Sequence, residues 1–218
     1  MKKKARVSLI YSLVNLALFL LLTFLVMKVD VQPIGPNGST VGLGSVNENC
    51  FWIFGANPIW DKISDLCMAG SLLVAGGFAC LGIWQLITRK SLKKVDFDLY
   101  LLAGLYAAAV VFYLLFEVVV INYRPVLIDG ILEPSYPSSH TMLVFVILDS
   151  AIVQTGLRVK KRLLRSVLLI AASLVCFLTA IGRLLAGVHW FTDVFAAILF
   201  SGFLVFLYKT LVLQFKKE

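Results

Sequence analysis

The chain has 218 residues, of which 60% are hydrophobic and only 15% are charged. This composition excludes an ordinary soluble domain and indicates a membrane protein, since several apolar runs are long enough to cross a bilayer. The formal net charge of +8 does not indicate a nucleic-acid partner, because no basic groove with stacking aromatic residues is visible.

Six apolar segments are predicted to span the membrane. They cover about residues 7–27, 66–88, 99–121, 140–157, 166–182 and 191–213. Backbone amides in hydrocarbon need partners within their own segment, so these runs are predicted helices, and the alternating pattern of a lipid-facing barrel is absent. We therefore predict an all-α, polytopic membrane protein with six transmembrane helices and a single membrane-embedded domain over residues 1–218.

Basic residues predict the orientation of the chain. The first span follows a basic segment, but its apolar run is too long for a signal core and no A-x-A-like cleavage site follows, so we predict an uncleaved anchor. The basic clusters are residues 2–6, 89–94, 158–165 and 216–217. With six crossings all four clusters fall on one side, which the positive-inside rule assigns to the cytoplasm together with both termini.

The outer stretch of about residues 30–65 stands apart from the spans. Its first half is rich in Pro and Gly and is predicted to form turns. Its second half carries Phe51, Trp52, Phe54 and Trp60. These aromatic residues predict a short helix at the membrane interface, and a membrane-hugging connector is favoured over a substrate-gating lid.

The four cysteines show no framework of spacings. Cys50 and Cys67 could both face an oxidising compartment and form a disulfide. Free thiols are the favoured alternative.

Three short stretches at span boundaries carry the candidate functional residues, including both histidines of the chain. They are Asn122-Tyr123-Arg124-Pro125, Tyr136-Pro137-Ser138-Ser139-His140, and the stretch from Gly182 to Asp193. The predicted topology brings all three to one membrane depth on the outer side. This convergence carries more weight than any single motif, because Arg and His at helix ends often merely extend toward the interface.

The residue types in these stretches suit phosphoryl transfer. The planar guanidinium groups of Arg124 and Arg183 match phosphate oxygens. Ser138 and Ser139 follow Pro137 at a predicted helix start, where unpaired N–H groups and the helix dipole favour an anion.

The two histidines have distinct predicted roles. His189 and Asp193 are four residues apart, on one face of a predicted helix. The carboxylate can hold one ring nitrogen and leave the other as a nucleophile. His140, which enters from another span, can protonate the leaving alkoxide.

The three stretches resemble the signature motifs of the type-2 phosphatidic acid phosphatase family of integral-membrane lipid phosphatases, K-x-x-x-x-x-x-R-P, P-S-G-H and S-R-x-x-x-x-x-H-x-x-x-D. The resemblance covers residues 117–193 by motif and the whole chain by its six-span plan. It implies a phosphohistidine at His189, with Asp193 as its partner and His140 as the general acid. It also implies phosphate binding by Arg124, Ser138, Ser139 and Arg183, and catalysis without a metal or cofactor.

This chain departs from the family pattern at three positions. Ser139 replaces the glycine of P-S-G-H, and Gly182 replaces the serine before the arginine. Glu117 stands at the lysine position, which on a continuous helix is about 10 Å deeper than Arg124. An ion pair of Glu117 with Arg124 or Arg183 is favoured; a protonated structural residue or a sign of altered activity are the alternatives.

The sequence therefore predicts a lipid phosphatase whose substrate keeps its tail in the bilayer, with the active site at the outer face of a bacterial plasma membrane. Polyprenyl diphosphate, such as undecaprenyl diphosphate, is the favoured substrate, ahead of phosphatidylglycerophosphate and phosphatidic acid. The alternatives are a lipid phosphotransferase with the same site, a catalytically weakened lipid-phosphate-binding protein, and, least favoured, a transporter.

Overall fold

A computed structural model describes residues 1–215, so the fourth basic cluster, residues 216–217, lies outside the described residues. The α-helices are α1 (Lys3–Lys28), α2 (Gly44–Phe54), α3 (Pro58–Arg89), α4 (Phe97–Val118), α5 (Ser139–Arg158), α6 (Arg162–Leu185) and α7 (Phe191–Phe215). All except α2 are long and apolar enough to cross a membrane. The predicted all-α fold with six spans is confirmed.

Two of the differences between the observed and the predicted helix boundaries bear on the three motifs. Helix α3 begins at Pro58, about two turns before the predicted apolar run, because Asn57 accepts a hydrogen bond from the Ile59 N–H (3.0 Å) and Pro58 fits the first turn. Helix α4 ends at Val118 rather than near residue 121. The early start of α3 places Asp61 and Asp65 on a helix rather than in a loop. The early end of α4 places Glu117 in its last turn rather than within a longer span.

Helix α7 forms the centre of the bundle and contacts every other spanning helix except α3. Its closest neighbour is α1, which runs antiparallel to it. The hydroxyls of Ser8 and Ser12 donate hydrogen bonds of 2.9 Å to the carbonyls of Phe206 and Phe203 on α7. Small polar residues thus let the two backbones approach closely, as in other membrane helix pairs.

One end of the bundle carries the loops that join α3 to α4 and α5 to α6, and we call it the basic end. There Arg158 forms ion pairs with Asp96 (3.0 Å) and with Asp98. Burial raises the pKa of the Asp96 carboxyl, but hydrogen bonds from Arg89, Gln85 and Arg158 outweigh it and hold the pKa at about 2. This network joins α3, α4 and α5 at the end opposite the three motifs.

The stretch between α1 and α3 includes the predicted aromatic helix, α2. Asn47 on α2 is fully buried, donates to the Thr192 hydroxyl (3.0 Å) and accepts from the Thr192 N–H (3.1 Å). The rings of Phe51 and Trp190 lie 5.8 Å apart. These contacts attach α2 to the start of α7 and favour a fixed connector over a lid. Cys50 and Cys67 are free.

Candidate active site

The three predicted motifs meet at the end of the bundle opposite the basic end, which we call the site end. The loop before α5 is closed by backbone hydrogen bonds from Ser135 to Asn122 (2.9 Å) and from Arg124 to Glu133 (3.0 Å). The Trp190 indole N–H donates to the Tyr123 carbonyl (2.7 Å). This bond ties the first motif to the third, so segments far apart in sequence share one site.

His189 lies in the turn before α7, two residues ahead of the first helical residue. The expected placement of His189 and Asp193 on one helix face is therefore wrong, yet their pairing is retained. Gly187 makes the turn with φ of 68°, and a Cβ there would come within 2.7 Å of Ala56. A side chain at this position would collide with the segment before α3, so glycine allows both the turn and the close packing.

The buried pair of His189 and Asp193 sits at the centre of the site. Nδ1 of His189 lies 3.5 Å from Oδ2 of Asp193, a contact within ion-pair distance but without a hydrogen bond, and the Trp190 N–H donates to the same oxygen at 3.0 Å. The side chains of Asn122 and Ser135 also approach the carboxylate. The orientation leaves Nε2 of His189 facing away from Asp193.

The electrostatic surroundings keep His189 neutral. Burial lowers the pKa of His189 well below its usual value, and the positive charges of Arg183 and Arg124 lower it further. A neutral imidazole with Nδ1 directed to a carboxylate has a lone pair on Nε2. It is therefore ready to act as a nucleophile.

Arg124 faces this nitrogen. Its Nη1 lies 3.5 Å from Nε2 of His189 and 3.4 Å from the Val188 carbonyl oxygen. Its Nε lies 3.0 Å from the Glu133 carboxylate. Glu133 therefore orients the guanidinium while leaving part of it directed into the site.

Arg183 approaches from the end of α6 and is 3% exposed. Its Nη1 donates to the Asp61 carboxylate and to the Ser64 hydroxyl (3.1 Å), both on α3. Gly182 lies beside this helix, where a Cβ would approach the Trp60 carbonyl oxygen to 3.4 Å. The early start of α3 thus supplies the partners of a site arginine.

His140 enters the site from the first turn of α5. Its Nε2 lies 3.0 Å from Oδ1 of Asp65, again on α3. Its Nδ1 is buried and has no hydrogen-bond partner among the described residues. The ring therefore has one nitrogen held at the surface and the other directed into the protein.

The N terminus of α5 carries the two predicted serines. Ser138 is the N-cap residue, fully buried, with its N–H donated to the Asp193 carbonyl (3.0 Å) and its hydroxyl paired with that of Thr141 (3.1 Å). Ser139 is the first helical residue and lines a cleft together with His189. Pro137 lies two residues before the first helical residue.

Glu117 is placed differently from the expectation. Because α4 ends at Val118, the chain from there to Arg124 is not helical, and the depth calculated for a continuous helix does not apply. Among residues 1–215, Glu117 forms no ion pair: Arg124 pairs with Glu133, and Arg183 pairs with Asp61. The favoured ion pair is thus wrong. Glu117 instead lines the cleft that contains Ser139 and His189.

Three acidic residues at the site were missed by sequence reasoning: Asp61, Asp65 and Glu133. Asp61 and Asp65 were assigned to the outer loop because they precede the apolar run. Their spacing of four residues, directly before a predicted span, was the signal that they share one face of a helix at the correct end.

Comparison with known proteins identifies the family. Residues 102–217 match the model of the PAP2 superfamily. A crystal structure described as the first transmembrane PAP2 type phosphatidylglycerolphosphate phosphatase from Bacillus subtilis superposes with a TM-score of 0.67 at 19% identity, covering 94% of this chain and 98% of that chain. A comparison with curated proteins gives no match. Because the family model spans more than half of its length, the chain belongs to the PAP2 superfamily of membrane phosphatases.

Proposed function

We propose that this protein hydrolyses the phosphomonoester or diphosphate of a membrane lipid through a phosphohistidine at His189. The observation that carries the proposal is the orientation of one buried ring. Nδ1 of His189 faces Asp193, and Nε2 faces the guanidinium of Arg124. A nucleophile that faces a carboxylate on one side and a cation able to bind phosphate on the other is the arrangement that phosphoryl transfer to histidine needs.

The proposed reaction proceeds in two steps. Nε2 of His189 attacks the terminal phosphorus while its bond to the leaving oxygen, that of the lipid alcohol in a monoester or of the lipid phosphate in a diphosphate, breaks, and His140 gives a proton to that oxygen. Water then attacks the phosphohistidine, His140 takes a proton from the water, and inorganic phosphate leaves. Arg124, Arg183 and the N terminus of α5 with Ser138 and Ser139 hold the phosphate oxygens. All of these groups belong to the protein, so the reaction is expected to proceed without a metal.

The proposed substrate is a polyprenyl diphosphate, with phosphatidylglycerophosphate and phosphatidic acid next. The lipid class follows from a site at the end of a bundle whose outward side chains are largely apolar and face hydrocarbon. Phosphatidylglycerophosphate gains support from the name of the Bacillus subtilis phosphatase with a similar fold. We place the site at the outer face of a bacterial plasma membrane, because the described basic clusters lie at the opposite end.

The test is phosphate release by the purified protein in detergent. Undecaprenyl diphosphate, phosphatidylglycerophosphate and phosphatidic acid are supplied separately, each with and without EDTA. We expect release from at least one lipid at an unchanged rate in EDTA, and an acid-labile phosphoenzyme that His189→Ala lacks. No release from any lipid, or a His189→Ala variant as fast as the parent, would contradict the proposal. Transfer of the phosphoryl group to a second lipid, rather than to water, would identify the protein as a phosphotransferase.

A second candidate is a catalytically weakened protein that binds lipid phosphates. It is favoured by the carboxylates around the phosphate site: Asp61 and Glu133 pair with the site arginines, and Glu117 stands where the family pattern has lysine. Binding of phosphatidic acid vesicles without any phosphate release would favour this candidate.

A further inference from the structure

The second histidine of the site has a carboxylate of its own that lies outside the family motifs. Asp65 on α3 faces Nε2 of His140 at 3.0 Å. Its neighbour Asp61, one turn earlier, pairs instead with Arg183. The two carboxylates therefore serve different partners from the same helix face.

The two histidines of the site face their carboxylates with different ring nitrogens. Asp193 faces Nδ1 of His189 and leaves Nε2 directed to the site. Asp65 holds Nε2 of His140, and Nδ1 is then the nitrogen that is buried without a partner. The charges of Arg183 and Asp61 also act on His140, and that of His140 acts on His189, so the ring lies within the same electrostatic site.

We propose that Asp65 is a positioning residue for the proton transfer by His140, so that Nδ1 of His140 is the atom that gives and takes the proton. This inference rests on the proposed function and names a residue that its motifs do not contain. When the phosphorus–oxygen bond to the lipid breaks, the Nδ1 proton moves to the lipid oxygen, and His140 becomes neutral. When water attacks the phosphohistidine, its proton returns to Nδ1. The Nε2 proton stays with the hydrogen bond to Asp65 throughout both steps.

A purely structural role fits the pair poorly. The Asp65 side chain is 59% exposed and that of His140 is 28% exposed. Ion pairs this open to solvent contribute little to folding. The pair does, however, fix the ring of a general acid, which needs one defined nitrogen at the leaving group. Removing Asp65 is therefore expected to change the chemistry far more than the stability.

The experiment compares Asp65→Asn with the parent on two substrates that differ in leaving group. Phosphatidic acid in mixed micelles releases an alkoxide that needs a proton, whereas p-nitrophenyl phosphate releases a phenolate that does not. We expect kcat on phosphatidic acid to fall by about 10- to 100-fold, a part of the contribution of a general acid. On p-nitrophenyl phosphate, kcat is expected to change less than about threefold, and KM is expected to stay similar on both.

Two matched variants control the comparison. Asp129→Asn removes the same charge from the exposed turn at the tip of the loop before α5 and should leave both substrates unaffected. Asp61→Asn removes the neighbouring carboxylate that pairs with Arg183, and it should alter KM on both substrates alike. Asp65→Glu should restore part of the rate on phosphatidic acid.

A double-mutant cycle excludes an indirect effect. If Asp65 acts through His140, Asp65→Asn causes no further loss in a His140→Ala background. Additive losses, or an equal loss on both substrates in the single variant, would overturn the inference while leaving the proposed function intact. A parent protein that releases phosphate from neither of these two substrates would overturn the inference, and it would contradict the proposed function only if undecaprenyl diphosphate and phosphatidylglycerophosphate also gave no release.

Discussion

Replacing Glu117 by lysine is expected to strengthen substrate binding. Glu117 has no cationic partner among residues 1–215, and it lines the same cleft as Ser139 and His189. The negative charge therefore acts on an arriving phosphate without compensation. Lysine at this position would restore the family pattern at the end of α4, where the exposed side chain has room to move.

The cleft gives a scale for this effect. Glu117 and His189 both line it, and a separation of about 8 Å between Glu117 and a bound phosphate is a reasonable scale for two charges in one cleft. At that separation a unit charge contributes about 0.5 kcal/mol in water and about 2 kcal/mol near a protein surface. Because Glu117 is exposed, the lower part of this range applies. Reversing the charge from −1 to +1 then favours phosphate by about 1–2 kcal/mol, or about 5- to 30-fold in KM.

The assay is steady-state phosphate release by the parent, Glu117→Gln and Glu117→Lys in detergent. Removing the charge should give about half of the free-energy effect of reversing it, so KM should fall stepwise from Glu to Gln to Lys. The difference should shrink as salt is raised from 10 mM to 500 mM, because exposed charges are screened. A Lys variant with unchanged or higher KM would refute the reasoning, as would a Gln variant that loses most of its kcat.

Three further predictions follow from the same geometry. Asp193→Asn should keep the fold but lower kcat by about 10⁴-fold through loss of control over the His189 tautomer, measured by single-turnover phosphoenzyme formation; a loss below tenfold would contradict the role of the pair. In a Cys-free background, a cysteine at Asp129 should react with an impermeant reagent from outside whereas one at Lys161 should not, and the reverse pattern would place the site in the cytoplasm. Arg158→Ala should lower the free energy of unfolding by about 1–3 kcal/mol in detergent, because Asp98 loses its cation and Asp96 keeps only Arg89, while kcat stays unchanged; an unchanged Tm would show that the network is not structural.

The sequence was sufficient to predict the spans, because the backbone amides of each apolar run must form their hydrogen bonds within that run when it lies in hydrocarbon. It also predicted the meeting of Arg124, His140 and His189, since an even number of crossings returns each motif to the same end. These inferences depend on topology alone. They needed no knowledge of side-chain contacts.

The partners of the site residues could not be predicted in the same way. Arg183 was expected to meet phosphate or Glu117, and it pairs with Asp61 because α3 extends two turns beyond its apolar run. Glu117 was expected about 10 Å deeper than Arg124 because the helix was assumed to continue from Glu117 to Arg124. In both cases the error is a helix boundary, which is decided by capping and packing rather than by hydropathy.

The two side chains of the Arg183–Asp61 ion pair differ in exposure, and this difference indicates how the buried cation is stabilised. The Arg183 side chain is 3% exposed, whereas that of Asp61 is 39% exposed. A guanidinium so deeply buried needs an anionic partner, because an uncompensated buried charge is costly. Asp61 supplies that partner, and it is the member of the pair that contacts solvent. Asp61 on α3 therefore lowers the cost of keeping the Arg183 cation in an apolar bundle, and a phosphate held by Arg183, as proposed above, would meet a carboxylate at the same guanidinium.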